Sequence, residues 1–152
     1  MPSITPSYLY SFAAIIAVSG LLVTAFMSYV GGVRFFSETN QLKNIADMVA
    51  ARATELLTLV STSNCTIQAY AELPASIGNM QYWLRLKNSS SQAWTEGGFG
   101  SIPYSEPYVK AYLPRNASAS GFYAAGHGAL MLVSSVEDGA VNIHIDSLRG
   151  AS

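Results

Sequence analysis

Residues 8–33 read YLYSFAAIIAVSGLLVTAFMSYVGGV, without one charged side chain. About 20 apolar residues rising ~1.5 Å each cross the ~30 Å hydrocarbon core of a bilayer, so this stretch predicts a membrane-spanning helix with length left for tilt. Tyr8 and Tyr10 stand at one end, and Tyr29, Phe35 and Phe36 at the other. Those are the positions where the two headgroup belts accommodate amphipathic rings.

Along the same stretch Ala13, Ala17, Gly20, Thr24, Ser28 and then Gly31 or Gly32 recur at three- or four-residue steps, which lines small side chains along one helical face. Such a face lets another helix come close, and in lipid close approach and dispersion drive helix association. Membrane helices are rich in small residues in any case, so the face reads either as a packing surface or as ordinary composition.

On the N-terminal side the tail MPSITPS has no Lys or Arg, so the basic n-region of a cleaved secretory signal is missing and a retained helix is expected. On the C-terminal side Arg34 and Glu38 share a helical face and are expected to pair just outside the membrane. From there Leu42, Ile45, Ala46, Val49, Ala53, Leu56, Leu57 and Val60 keep the spacing of an amphipathic helix, with Lys43, Asp47, Arg52, Glu55 and Thr58 largely on its other faces. If Gly31-Gly32 is only a bend, one helix runs from Tyr8 to Val60. Its apolar stripe needs a cover.

The rest of the chain should supply it. At Ser61-Thr-Ser-Asn64 the helical pattern gives way to turn-rich, alternating sequence. Strands are expected at residues 66–73, 80–87, 92–95, 108–113, 129–134 and 140–146. In the second of these, Met80, Tyr82, Leu84 and Leu86 lie on one face and Gln81, Trp83, Arg85 and Lys87 on the other. Asp138-Gly139 is a hairpin signal, because Asp-Gly suits a type I′ turn. The expected architecture is α+β: a long N-terminal hydrophobic helix over residues 1–60, membrane-spanning at 8–33 and amphipathic at 34–60, then a small antiparallel β-sandwich over residues 61–152.

Net charge is −1 with 11% charged residues, too even a balance for a nucleic-acid footprint, so no nucleic-acid partner is expected. Cys65 is the one cysteine, which rules out a disulfide within the chain; a small buried hydrophobe is its commonest role and an intermolecular bridge the other. His127 between two glycines and His144 on the last strand are the two histidines, and neither they nor Cys65 come with a nucleophile elbow or an oxyanion-type loop. Glu137, Asp138 and Asp146 are near one another in sequence but read as solvent-facing hairpin residues, since hard cations take six or more oxygens. No catalytic residue, metal or cofactor is expected.

Asn64-Cys-Thr, Asn88-Ser-Ser and Asn116-Ala-Ser are N-glycosylation acceptors, all beyond the apolar helix in expected loops or linkers. If used, they place the C-terminal domain outside the cell. Arg34 after the span mildly favours the opposite orientation, but a single Arg is a small bias, and the sparsely charged, Tyr- and Ser-rich domain points outward.

A long apolar helix that continues as an amphipathic half and ends in a small β-domain resembles the type IV pilin superfamily, and its archaeal forms more closely, including adhesion pilins and archaellum filament and stator subunits. The likeness is architectural over the whole chain and most specific over residues 8–60. It implies a homo-oligomeric helical filament in which apolar helices leave the membrane and bundle as a core, with the β-domains as an extracellular sheath. Ala13, Ala17, Gly20, Thr24 and Ser28 would then be helix-packing positions, and Asn64, Asn88 and Asn116 glycan sites on the sheath. This chain departs from the family in having nothing basic before the helix, where pilin precursors carry a basic and a small residue ahead of the prepilin-peptidase cut. The early acidic residue of bacterial pilins is missing too, which agrees better with archaea. The departure leaves room for a second reading, a single-span membrane protein whose β-domain binds another envelope protein; a membrane-tethered enzyme using Cys65 or the histidines is a distant third.

Overall fold

A computed structural model of the chain describes residues 4–100, 106–114, 117–137 and 139–148. The first element is one α-helix, α1 (Ile4–Ser63), unbroken through Gly31 and Gly32. It ends where Asn64 takes the left-handed conformation (φ 51°) and donates its N–H to the Val60 carbonyl at 2.9 Å. Asn tolerates that conformation better than most residues, so the last turn closes on one of its own orphan carbonyls. By internal contacts the chain divides into Met1–Ser37 and Glu38–Ser152, so the amphipathic half of α1 belongs to the same unit as the strands.

Seven strands follow: β1 (Ile67–Ala71), β2 (Tyr82–Asn88), β3 (Ala93–Phe99), β4 (Val109–Tyr112), β5 (Ala117–Ala124), β6 (Leu130–Glu137) and β7 (Ala140–Ser147). They hydrogen-bond in the order β1-β6-β7-β5-β2-β3-β4, antiparallel throughout except for the parallel pair β5 and β7. Where two stacked sheets were expected, the strands join in one. The joint is β5: up to Gly121 it pairs with β7, and from Phe122 to Ala124 it pairs with β2. Gly121 sits at the change of partner with φ 106°, and a Cβ there would run into the backbone of Ile145. Only glycine combines that conformation with that approach.

The second layer over the inner face of the sheet comes from α1. Leu42, Ala46, Val49, Ala50, Ala53, Leu56 and Leu57 form one buried cluster with Tyr82, Leu84 and Leu86 of β2, Tyr123 of β5, Leu130 and Leu132 of β6, and Ile143 and Ile145 of β7. The stripe foreseen along the helix therefore has its cover, at about 1.5–3 kcal/mol for each large side chain taken fully out of water. Tyr82 and Tyr123 can be this deep because each hydroxyl donates to a carbonyl, of Pro74 at 2.7 Å and of Gly128 at 3.0 Å. Glu38 is also buried, its carboxylate packed against Gly78 in the loop between β1 and β2.

All six expected strands are present with shifted ends, and Glu137 pairs with Ala140 across the expected hairpin, Gly139 having φ 78°. Asp138 lies outside the described residues. The strand not foreseen is β5, the bridging one.

Candidate assembly surface and outer sheet face

Two surfaces stand out. In Met1–Ser37 every residue from Pro6 to Ser37 is exposed, including Phe12, Ile15, Ile16, Leu21, Leu22, Phe26 and Met27. The helix is long and apolar enough to cross a membrane, and none of its most apolar window is buried among the described residues. Exposing that area to water carries a large free-energy cost, and a membrane-spanning position is compatible with its length and composition.

The small residues foreseen as packing positions, Ala13, Ala17, Gly20, Thr24 and Ser28, are exposed as well. Among the described residues, the adjoining backbone of the helix apart, a Cβ added at Gly20, Gly31 or Gly32 would meet nothing within 4 Å. Thr24 donates its hydroxyl to the Gly20 carbonyl at 2.8 Å and Ser11 to the Ser7 carbonyl at 3.1 Å. Both hydroxyls are thus satisfied inside the helix and need no polar partner in an apolar surrounding.

The second surface is the outer face of β2, β3 and β4. Register places Arg85 opposite Glu96 and Lys110 in one row, and Lys87 opposite Trp94 and Tyr112 in the next. Glu96 is 2% exposed although it points away from the core cluster. Its Oε1 accepts from Arg85 Nε at 2.7 Å and also from Arg85 Nη2, and lies 3.1 Å from Lys87 Nζ; its Oε2 accepts from Trp94 Nε1 at 3.1 Å. Burial pushes the Glu96 pKa up, and the hydrogen bonds from Trp94, Arg85 and Lys87, with the charge of Arg85, outweigh it and hold the carboxyl below its ordinary value.

Two aromatic rings frame this carboxylate. The Arg85 guanidinium lies 5.4 Å from the Trp83 ring centre and Lys110 Nζ 5.9 Å from that of Trp94. Trp83 is 2% exposed because its ring lies on the backbone of Gly98, where a Cβ would stand 2.7 Å from it. Sequence reasoning placed Trp83, Arg85 and Lys87 on the outward face of one strand but did not bring Trp94, Glu96 and Lys110 beside them. The signal was in the alternation of three strands at once, and only their register connects it.

The remaining expected sites are dispersed. Asn64 and Asn88 are exposed, Asn64 in the helix cap and Asn88 at the end of β2 with its amide 3.5 Å from Ser118 Oγ. Asn116 lies outside the described residues. Cys65, for which a buried hydrophobe or an intermolecular bridge was expected, is exposed, in the segment between the helix cap at Asn64 and β1. Its Sγ is 3.0 Å from Ser63 Oγ. His127 lies in the exposed turn after β5, and His144 Nδ1 is 3.1 Å from Ser120 Oγ on the outer face of β7 and β5. Among the described residues no cluster of His, Cys, Asp and Glu could hold a metal ion.

No family model, characterised protein or solved structure matches this chain.

Proposed function

We propose that this chain is a structural subunit of an extracellular type IV pilus-like filament, polymerising through its hydrophobic N-terminal helix with the β-domain outside and serving adhesion or surface attachment. The observation that carries this reading is the exposed apolar half of α1, whose small residues have no packing reason among the described residues. Identical helices gathered around it would cover every face and use the close approach that Ala13, Ala17, Gly20, Thr24 and Ser28 allow. The β-domain suits a sheath because it folds on the amphipathic half of α1 and forms one unit with it. In this reading the β-domain is the head of the subunit, with one seven-stranded sheet where a sandwich was expected. Exposed Asn64 and Asn88 are available for N-linked glycans on that sheath.

A second reading is a single-span membrane protein with an outward β-domain that binds another envelope protein. Tyr8, Tyr10 and Tyr29, exposed near the two ends of the apolar run, favour it, since they match the two interfaces of a bilayer. The two readings part in what surrounds the helix. Negatively stained surface material from expressing cells, labelled with an antibody to the β-domain, is expected to show label along thin fibres. Label confined to the envelope would sink the filament reading and leave the anchor.

A further inference from the structure

We propose that the outer face of β2, β3 and β4 is a binding site for an acidic polysaccharide, with Trp94 and Tyr112 as stacking platforms and Lys87, Lys110 and Arg85 as the cations that read its carboxylates. The proposal does not depend on whether α1 is covered by lipid or by sister helices.

The charged side chains at the outward positions of these three strands are Arg85, Lys87, Lys110 and Glu96. One buried carboxylate cannot neutralise three cations. Arg85 and Lys87 are fixed by Glu96, while Lys110 is held over Trp94, so the positive groups stand in set positions before any ligand arrives. Side-chain ordering is thereby settled in advance, which is the usual source of affinity at a small polar site. Trp94 is itself fixed by its N–H bond to Glu96. Beside it in register, Tyr112 is 63% exposed on an edge strand where nothing in the core requires an aromatic residue. A pyranose ring offers a C–H-rich face that suits the negative face of such rings, and a uronic acid adds one carboxylate per sugar for the lysines.

The shortness of the basic strip favours a short glycan segment over a nucleic acid. Single-stranded nucleic acid binders line a long basic groove with successive stacking rings. Here the cations stand only on β2 and β4, and β6 and β7 hold Glu137 and Asp146 at outward positions, so the face takes a short acidic segment along these strands and not a chain tracked across the whole sheet.

The test uses the full chain in detergent micelles and a hexamer of a plain polyuronate, followed by titration calorimetry and tryptophan emission. Trp83 and Trp94 are the only tryptophans, so emission reports this face directly. Expected are saturable binding that weakens with added salt, a change in tryptophan emission with the same midpoint, and about a tenfold weaker affinity for Lys110→Gln and for Tyr112→Ala, the factor equivalent to ~1.4 kcal/mol. Lys43→Gln, on an exposed position of α1, should bind as the parent does. The proposal is overturned by no saturable binding, by equal affinity for a neutral glucan hexamer, or by Lys110→Gln and Tyr112→Ala variants that melt normally and bind unchanged. Tighter binding of a six-nucleotide single-stranded DNA than of the uronate would overturn it in favour of nucleic acid.

Discussion

Arg85 on β2 and Glu96 on β3 face each other directly across the strand pair, and both Nε and Nη2 of the guanidinium donate to the same oxygen, Oε1. The other oxygen is taken by the indole of Trp94, so both oxygens of this buried carboxylate are engaged by neighbours on its own face.

Glu96→Gln should lower stability by about 1.5–3 kcal/mol at neutral pH, the range for hydrogen bonds to a charged group. The pH dependence follows from the sign of the pKa shift. Unfolded, the carboxyl takes up a proton near its ordinary value of about 4.3; folded, it resists until lower pH. The stabilisation is complete above that ordinary value and is lost as pH falls through the lower, folded one. Thermal melts of the parent and the variant should therefore differ at pH 7 and converge in acid. Parallel curves across this range would remove the ion network from the account.

At the alkaline end Tyr82 is the group to watch. Burial, and then the neighbouring phenol of Tyr123, push its pKa well above the ordinary value, and Tyr123 is raised by burial as well. A raised acid stabilises the fold fully below its unfolded pKa of about 10 and loses that contribution as pH climbs toward the folded one. Tyr82→Phe removes the bond to the Pro74 carbonyl, which should cost about 1 kcal/mol at pH 7. In the same variant the loss of stability above pH 10 should be shallower than in the parent, as chemical denaturation followed by far-UV circular dichroism would register.

Thr95 offers the opposite sign. Its side chain is fully buried on the inner face of β3, and its hydroxyl has no hydrogen-bond partner among the described residues. Thr95→Val keeps the shape and removes a group that costs about 1–3 kcal/mol to bury unpaired. The melting temperature should rise. A fall would mean that the hydroxyl is bonded in solution.

Gly121 carries the joint of the sheet. Gly121→Ala needs a Cβ where the backbone of Ile145 already stands, in a conformation that L-residues rarely adopt. A loss of more than ~2 kcal/mol is expected, large for a single methyl group. Ala119→Gly, two residues earlier on the same strand, removes a buried methyl and loosens the unfolded backbone without any clash, and should cost less. Equal costs for the two would argue against a special role for the joint.

Gly20→Leu separates assembly from folding. Among the described residues, the adjoining backbone of the helix apart, nothing lies within 4 Å of the added Cβ, so melting of the β-domain should be unchanged. Under the filament reading, close helix approach at this face is lost and fibre yield should fall by tenfold or more in electron micrographs. Normal fibres from this variant would remove the small-residue face from the subunit contact.

Periodicity alone determined the helical half of this protein. A run without charge followed by an apolar stripe at helical spacing has few other outcomes, because backbone groups in lipid must bond within their own segment and an amphipathic stripe must find a cover. Alternation in Met80–Lys87 likewise sorted Tyr82, Leu84 and Leu86 from Trp83, Arg85 and Lys87 correctly. Tertiary structure decided what depends on register. The first half of Ala117–Ala124 is small and polar and Gly121 interrupts it, leaving only Phe122 and Tyr123 to favour a strand, yet it joins the two parts of the sheet by pairing with β7 up to Gly121 and with β2 beyond it. Cys65 read as core or as an intermolecular bridge and is exposed, in the segment between the helix cap and β1. The cluster around Glu96 belongs to the same class: its residues lie on three strands, and hydrogen-bond register, which no local pattern encodes, brings them to one place.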